Sequence, residues 1–234
     1  MKNLLLLLIA SITFASCASV SGNGNVREEK RDLSDIQSVK TSGSIDVEIR
    51  SGNEYALVVQ DDENLLHYVI TDIDNGVLNV HYKNGYSVMN DHAKVFVTVP
   101  SLSKLTTSGS ADITSDGVIK NSNEIEINTS GSGDINVSVD APSVKATGSG
   151  SGNISISGRT KDFQCKVSGS GDINCSNLKS ENVDIRVSGS SDVHVFASVS
   201  LKVNVTGSGD VYYGGNPTSP QIHIAGSGTV QAEK

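Results

Sequence analysis

The feature that most constrains this chain is a phrase that keeps returning: β-branched residues, then Ser-Gly-Ser-Gly-Asp, then β-branched residues again. Its first glycine stands at Gly109, Gly131, Gly150, Gly169, Gly189, Gly207 and Gly226, in steps of 22, 19, 19, 20, 18 and 19 residues, with an earlier copy at Gly43. A fixed period near twenty marks a repeat architecture, in which each unit buries its apolar side only against its neighbours. Inside each copy apolar and polar residues alternate: Ile135, Val137 and Val139 against Asn136 and Ser138, and likewise Val183, Ile185 and Val187, then Val203 and Val205. That is the period of half-buried strands, and no stretch of the repeat carries a helical period. Glycine permits a corner with φ above zero, and Asp or Asn just after it can close the corner through a side-chain to backbone bond.

Two all-β architectures fit. In a parallel β-helix each copy is one coil of about 20 residues, apolar positions line a narrow lumen, and coils stack about 4.8 Å apart. In an antiparallel β-meander each phrase is a hairpin tip, which sets Cys165 opposite Cys175 about a centre at Ser170. Identical phrases at a fixed period are better explained by like residues stacking on like, so the β-helix is the expectation. Composition agrees: with 4 Phe, no Trp and 23 Gly, β-branched residues rather than aromatics must pack the interior.

The chain opens with Lys2 and an apolar run from Leu4 to Phe14, a secretory signal too short to span a bilayer, which takes roughly 20 apolar residues as a helix. Phe14-Ala15-Ser16-Cys17 resembles the lipobox of bacterial lipoproteins, in which the cysteine becomes the lipid-modified first residue. An ordinary signal cut near Ala18 would instead remove Cys17. Residues 1–17 are therefore read as a lipoprotein signal peptide, and the anchored protein as an outer-membrane component of the cell envelope. Residues 18–30, rich in Ser, Gly, Asn and charge, read as a flexible tether. Residues 31–105 read as an atypical β part made of capping coils, or else a separate small domain ending near Pro100. They contain the hairpin signal Asp74-Asn75-Gly76 between Val69-Ile70-Thr71 and Val77-Leu78-Asn79-Val80. The 66 residues from Gly43 to Gly109 equal three steps of 22 and could conceal degenerate coils. Residues 106–234 are the regular repeat.

The run Val99-Pro100-Ser101-Leu102-Ser103-Lys104-Leu105 leading into Ser108-Gly109-Ser110-Ala111-Asp112-Ile113, followed by the reiterated phrase, resembles the head GIN domain family of auto-transporter adhesins. The resemblance extends from about Leu33 to the C-terminus. It implies a right-handed parallel β-helix and an adhesin role.

Acidic residues exceed basic ones, 26 against 18, for a net charge of -8, which excludes a nucleic-acid partner needing clustered Lys and Arg. The most suggestive constellation is the acid after each corner: Asp112, Asp134, Asp172, Asp192 and Asp210, with Asn153 in one copy. Stacked in register these carboxylates form a column, serving as corner residues that accept backbone N–H bonds or as a weak calcium ladder. Beyond calcium no cofactor is expected. Cys165 and Cys175 would pair in an oxidising envelope, or serve as buried thiols. His67, His81, His92, His194 and His223 show no metal spacing, and His194 and His223 should face solvent. No nucleophile elbow or phosphate loop is present. Arg159, Lys161, Lys166 and Arg186 are candidates for a face that recognises an acidic polysaccharide, and Tyr82, Tyr86, Tyr212 and Tyr213 could stack on sugars.

The expected function is a non-enzymatic envelope lipoprotein, an adhesin or a glycan- or protein-binding scaffold. Its partners are the membrane, through the anchor, and envelope glycans or proteins; an uncapped solenoid end would allow a homo-oligomer. The alternative is a carbohydrate-active β-helix enzyme acting on an acidic polysaccharide.

Overall fold

The computed structural model describes residues 18–233, whose regular elements are twenty strands and one 3-10 turn at Leu66–Tyr68. Cys17 and the signal segment lie outside the described residues. The architecture is a β-solenoid of stacked parallel coils. One wall is built from Ser38–Gly43, Lys104–Gly109, Glu124–Gly131 and Ser143–Gly150, continued by the second halves of Ile154–Gly169, Ile173–Gly189 and Val193–Gly207 and ending at Gln221–Gly226. The other wall is built from Asp46–Ser51, Ile113–Lys120, Ile135–Asp140, the first halves of the same long strands, Val211–Gly215 and Val230–Ala232. Every one of these pairings is parallel, so the meander is excluded: Cys165 stacks between Ala146 and Ile185 rather than across a hairpin from Cys175.

Register follows from period 2 in the strands and period twenty in the chain. Val39, Leu105, Ile127, Ala146, Cys165, Ile185 and Val203 form one buried column. The adjoining column begins with Thr41, Thr107 and Thr129, all buried, whose hydroxyls donate across their own corner to the carbonyls of Ile45, Ala111 and Gly133 at 2.7, 2.6 and 2.9 Å. A buried hydroxyl would otherwise lose its solvation without return. Val and Ile dominate the lumen, and Phe163 is the one aromatic in the core among the described residues.

The corner requires glycine for two reasons. Gly109 adopts φ +116, and a Cβ there would stand 2.6 Å from the Gly43 carbonyl oxygen of the coil beneath. That oxygen accepts the Ser110 N–H at 2.7 Å, and the Gly109 oxygen in turn accepts Ser132 N–H and Gly133 N–H at 2.7 and 3.0 Å. Backbones bonded this closely leave no room for a side chain.

The 66 residues between Gly43 and Gly109 are a detour, not three hidden coils. Gly43 and Gly109 are direct stacking partners. Between them the chain leaves the stack, adds one further coil on its outer side, with Val77–Tyr82 parallel to Ser38–Gly43 and Lys94–Val99 parallel to Asp46–Ser51, and then closes that end with antiparallel strands. Ala56–Asp62 pairs antiparallel with Lys94–Val99, Val26–Arg31 pairs antiparallel with Ala56–Asp62, and Val69–Asp74 pairs antiparallel with Val77–Tyr82. The last pair is the hairpin expected at Asn75-Gly76, whose φ values of 50 and 77 suit a two-residue turn that needs both positive.

Residues 18–30 are not a free tether. Ala18–Ser21 pairs in parallel with Tyr86–Met89, and Val26–Arg31 forms the outermost strand of the cap. Their polar composition misleads because an edge strand, solvated along one side, is built from the same residues as a solvated linker.

Candidate functional site

The acids after the corners form one continuous inter-coil ladder. The Asp112 N–H donates to Asp46 Oδ1 at 2.9 Å, Asp134 N–H to Asp112 Oδ1 at 2.8 Å, and Asn153 N–H to Asp134 Oδ1 at 2.7 Å. Asp172 N–H reaches Asn153 Oδ1 at 2.9 Å, Asp192 N–H reaches Asp172 Oδ1 at 3.1 Å, and Asp210 N–H reaches Asp192 Oδ1 at 3.0 Å. Thr229 closes the series, its N–H donating to Asp210 Oδ1 at 2.7 Å. Each side-chain Oδ1, the Asn153 amide oxygen included, thus accepts from the next coil rather than from its own turn. The Thr229 amide holds the Asp210 carboxyl below its ordinary range, whereas burial raises that of Asp46. Asp46 and Thr229 belong to the ladder although neither was singled out in the sequence; Asp46 sits in Ser42-Gly43-Ser44-Ile45-Asp46, a copy with Ile in the second glycine's place. Among the described residues no group of three or more His, Cys, Asp or Glu is arranged to hold a metal ion.

Cys165 and Cys175 are free, buried thiols, the second of the two readings that the sequence leaves open. They belong to the two facing walls of one coil, separated by a corner, and not to the paired strands of a hairpin. Burial pushes the Cys165 thiol up to about 12 and also raises Cys175, so both act as small apolar groups.

The structure does not gather the basic residues into one face. Arg159 is held by Asp140 at 2.7 Å beside an open groove of about 580 Å³ that also contains Lys161, Lys179 and Phe196. Lys166 and Arg186 stack on each other's coils on the other wall, where Arg186 meets Asp184 at 3.2 Å. His194 is half-buried, its ring stacked on Tyr212 with centroids 4.7 Å apart and its Nδ1 3.1 Å from Glu233.

One polar cluster was not legible in the sequence. At the capped end Asp61 and Asp62 are fully buried. The Tyr82 hydroxyl lies 3.1 Å from Asp61 and donates to Asp91 at 2.6 Å, His92 N–H donates to Asp61 at 3.0 Å, and His92 Nδ1 lies 2.8 Å from Asp62. Asp62 raises the His92 pKa above its ordinary value, burial raises Asp61, and burial with the Asp91 contact raises Tyr82. Asp62 Oδ1 has no hydrogen-bond partner among the described residues. This cluster joins three segments of the cap and fixes their mutual position.

What the repeat displays outward is a ridge of hydroxyls. Ser42, Ser108, Ser130, Ser149, Ser168, Ser188 and Thr206 stand in register on one side of the glycine column, and Ser110, Ser132, Ser151, Ser170, Ser190, Ser208 and Ser227 follow it on the other.

These features define a class: a parallel β-solenoid with an apolar lumen, glycine corners and a periodic polar exterior. The chain belongs to the family described as "Putative auto-transporter adhesin, head GIN domain", whose model matches residues 35–217. Among solved structures it is similar to a putative adhesin from Bacteroides fragilis at TM-score 0.87 and 17% identity, covering 92% of this chain and 100% of that one. It is also similar to a putative lipid binding protein from Parabacteroides distasonis at TM-score 0.73 and 24% identity, and to a putative adhesin from the same organism at TM-score 0.71 and 26% identity, each with 92% and 100% coverage. Among curated proteins no match is found.

Proposed function

We propose that this chain is a lipid-anchored adhesin or scaffold of the outer membrane that binds envelope glycans or proteins along its solenoid surface and catalyses no reaction. The carrying observation is the double ridge of hydroxyls along the glycine corners, repeated at the coil spacing of about 4.8 Å. Such a ridge presents alternating donors and acceptors to an extended polar polymer, and its backbone is already engaged, so binding orders little further. The lipobox-like Phe14-Ala15-Ser16-Cys17 supports the anchor, and the family supports the adhesin role. Several acyl chains on Cys17 would give stable attachment, each buried methylene contributing about 0.8 kcal/mol.

A second copy would associate at the far end. Gln221–Gly226 is exposed at every residue, with Ile222 and Ile224 uncovered and one strand edge unpaired among the described residues.

The test is a binding panel of glycans, peptidoglycan and matrix proteins against the purified chain, with the triple variant S151E, S170E and S190E alongside. Binding that the variant loses is the expected result. No binding across the panel contradicts the proposal, and product release from an acidic polysaccharide would establish the carbohydrate-active alternative.

A further inference from the structure

We propose that the capped end of the solenoid rests directly on the bilayer through a contact patch made of His67, Tyr68, Lys83 and Tyr86. The inference depends on the lipid-anchor reading of Cys17 and concerns how that anchor is joined to the fold.

The joint has no slack. Ala18 is the first residue of a strand, paired with Tyr86, and its N–H donates to the Gly85 carbonyl at 3.1 Å. Cys17 is bonded directly to Ala18 in the sequence, and a single trans peptide unit reaches only about 3.8 Å between Cα atoms. A lipid on Cys17 therefore leaves the protein beside Gly85 and Tyr86. Wherever the acyl chains enter the membrane, this end of the cap is brought against the headgroups.

The residues at that point suit the headgroup layer. The Tyr68 and Tyr86 rings lie 4.7 Å apart, His67 lies 3.9 Å from Tyr68, and the Lys83 ammonium stands 5.8 Å from the Tyr86 ring centre. Lys83 N–H donates to the Tyr68 carbonyl at 2.8 Å, which holds the two segments together. His67 and Lys83 are exposed and both tyrosines half-buried, and Met89 at the far end of the same strand is 50% exposed. Tyrosine is enriched at membrane interfaces because its ring is apolar and its hydroxyl polar, and lysine lays an apolar stem along such a surface while its ammonium meets phosphate. The orientation that results stands the solenoid on its cap. The open terminal coil, seven steps beyond the Ser38–Gly43 coil, is then displayed about 35 Å farther out.

The chain contains no Trp, so a single introduced one reports its own surroundings. The lipoprotein carrying Y86W, and separately Y212W near the opposite end, is extracted from membranes, weighed intact to read the lipid on Cys17, and reconstituted into vesicles of brominated-chain phosphatidylcholine. Quenching of Y86W severalfold stronger than that of Y212W is expected. Equal quenching of the two in a chain whose mass includes the lipid overturns the contact patch alone. A mass without lipid overturns the anchor reading and the patch together. Y68W replaces Y86W should the latter lose its β circular dichroism spectrum.

Discussion

The two ends of the solenoid solve one problem in opposite ways. A stack of parallel coils propagates itself, since each coil offers the next an identical row of N–H and C=O groups and an apolar lumen. At the N-terminal end that row is stopped. Val26–Arg31, reading Val-Arg-Glu-Glu-Lys-Arg, runs antiparallel on one wall, and Val69–Asp74, with Asp72 and Asp74, runs antiparallel on the other. Arg31 ties the two walls together, donating to the carbonyls of Val69 and Leu66 at 2.7 and 2.8 Å and to Thr71 Oγ1 at 2.9 Å. At the C-terminal end no further coil covers the row among the described residues, with Ile222 44% and Ile224 39% exposed where Val203 and Val205 beneath them are covered. Ending a repeat takes residues that do not repeat, whereas extending one takes only another copy.

The largest expected effect separates a corner inside the stack from the same corner at its rim. In G109A the new Cβ meets backbone at 2.6 Å and sits at φ +116, and overpacking plus a left-handed conformation should cost about 3 kcal/mol or more. In G43A, at φ +89, nothing lies within 4 Å because the outer coil stops pairing at Thr41, and only about 1 kcal/mol of conformational strain is expected. Denaturant unfolding of both variants measures the difference, and equal losses would break the comparison. Next in size, R31A strips the three cap acceptors, and the Glu29 carboxylate 2.8 Å away, of a charged donor and should loosen the cap by about 2 kcal/mol. Hydrogen exchange should quicken across Val26–Arg31 and Val69–Asp74 and stay unchanged in Ile173–Gly189.

A smaller and opposite effect is expected at Ser191, which takes the place of the second corner glycine in its copy. It is fully buried and its hydroxyl has no partner among the described residues, so S191A should stabilise the chain by about 1 kcal/mol, raising Tm by a few degrees. Ala111 already occupies the same position without difficulty.

The smallest effects distinguish the ends by the sign of their pH response. In the cap, His92 has a folded pKa above 6.5, so its bond to Asp62 contributes fully below that value and is lost as pH rises through the folded pKa. Asp61, raised above 3.8 by burial, has the same sign: its contribution is greatest at low pH and falls as pH rises through its folded value. At the open end Asp210 is lowered beneath 3.8 by the Thr229 amide, so its contribution is complete above 3.8 and disappears as pH falls through the folded value. Hydrogen exchange corrected for intrinsic rates should show the cap loosening toward alkaline pH and the last coil loosening toward acid.

This contrast also explains what could be read from the sequence. The corners, the lumen columns and the parallel stacking were legible because the same residues recur at the same offset, and any one copy explains the rest. Asp112, Asp134, Asp172, Asp192 and Asp210 stand out for that reason; Asp46 does not, because a detour of more than fifty residues separates its coil from the next in sequence although nothing separates them in space. The cap was largely illegible. Asp61, Tyr82, Asp91 and His92 meet through antiparallel pairings that leave no periodic trace. The charges of Val26–Arg31 looked like those of a linker because edge protection and solvation call for the same side chains. Only the Asn75-Gly76 hairpin, a local signal, announced itself there.

Equivalent corners climb one coil at a time, and the lumen, the ladder and the ridge all depend on that climb. Pulsed electron–electron distances between spin labels at exposed corner serines measure this directly, with Ser110 as the fixed site and Ser151, Ser190 and Ser227 as the moving one. Stacking predicts backbone separations near 10, 19 and 29 Å, rising by about 4.8 Å per coil. Separations that fail to grow with coil number, or that alternate between near and far, would contradict it.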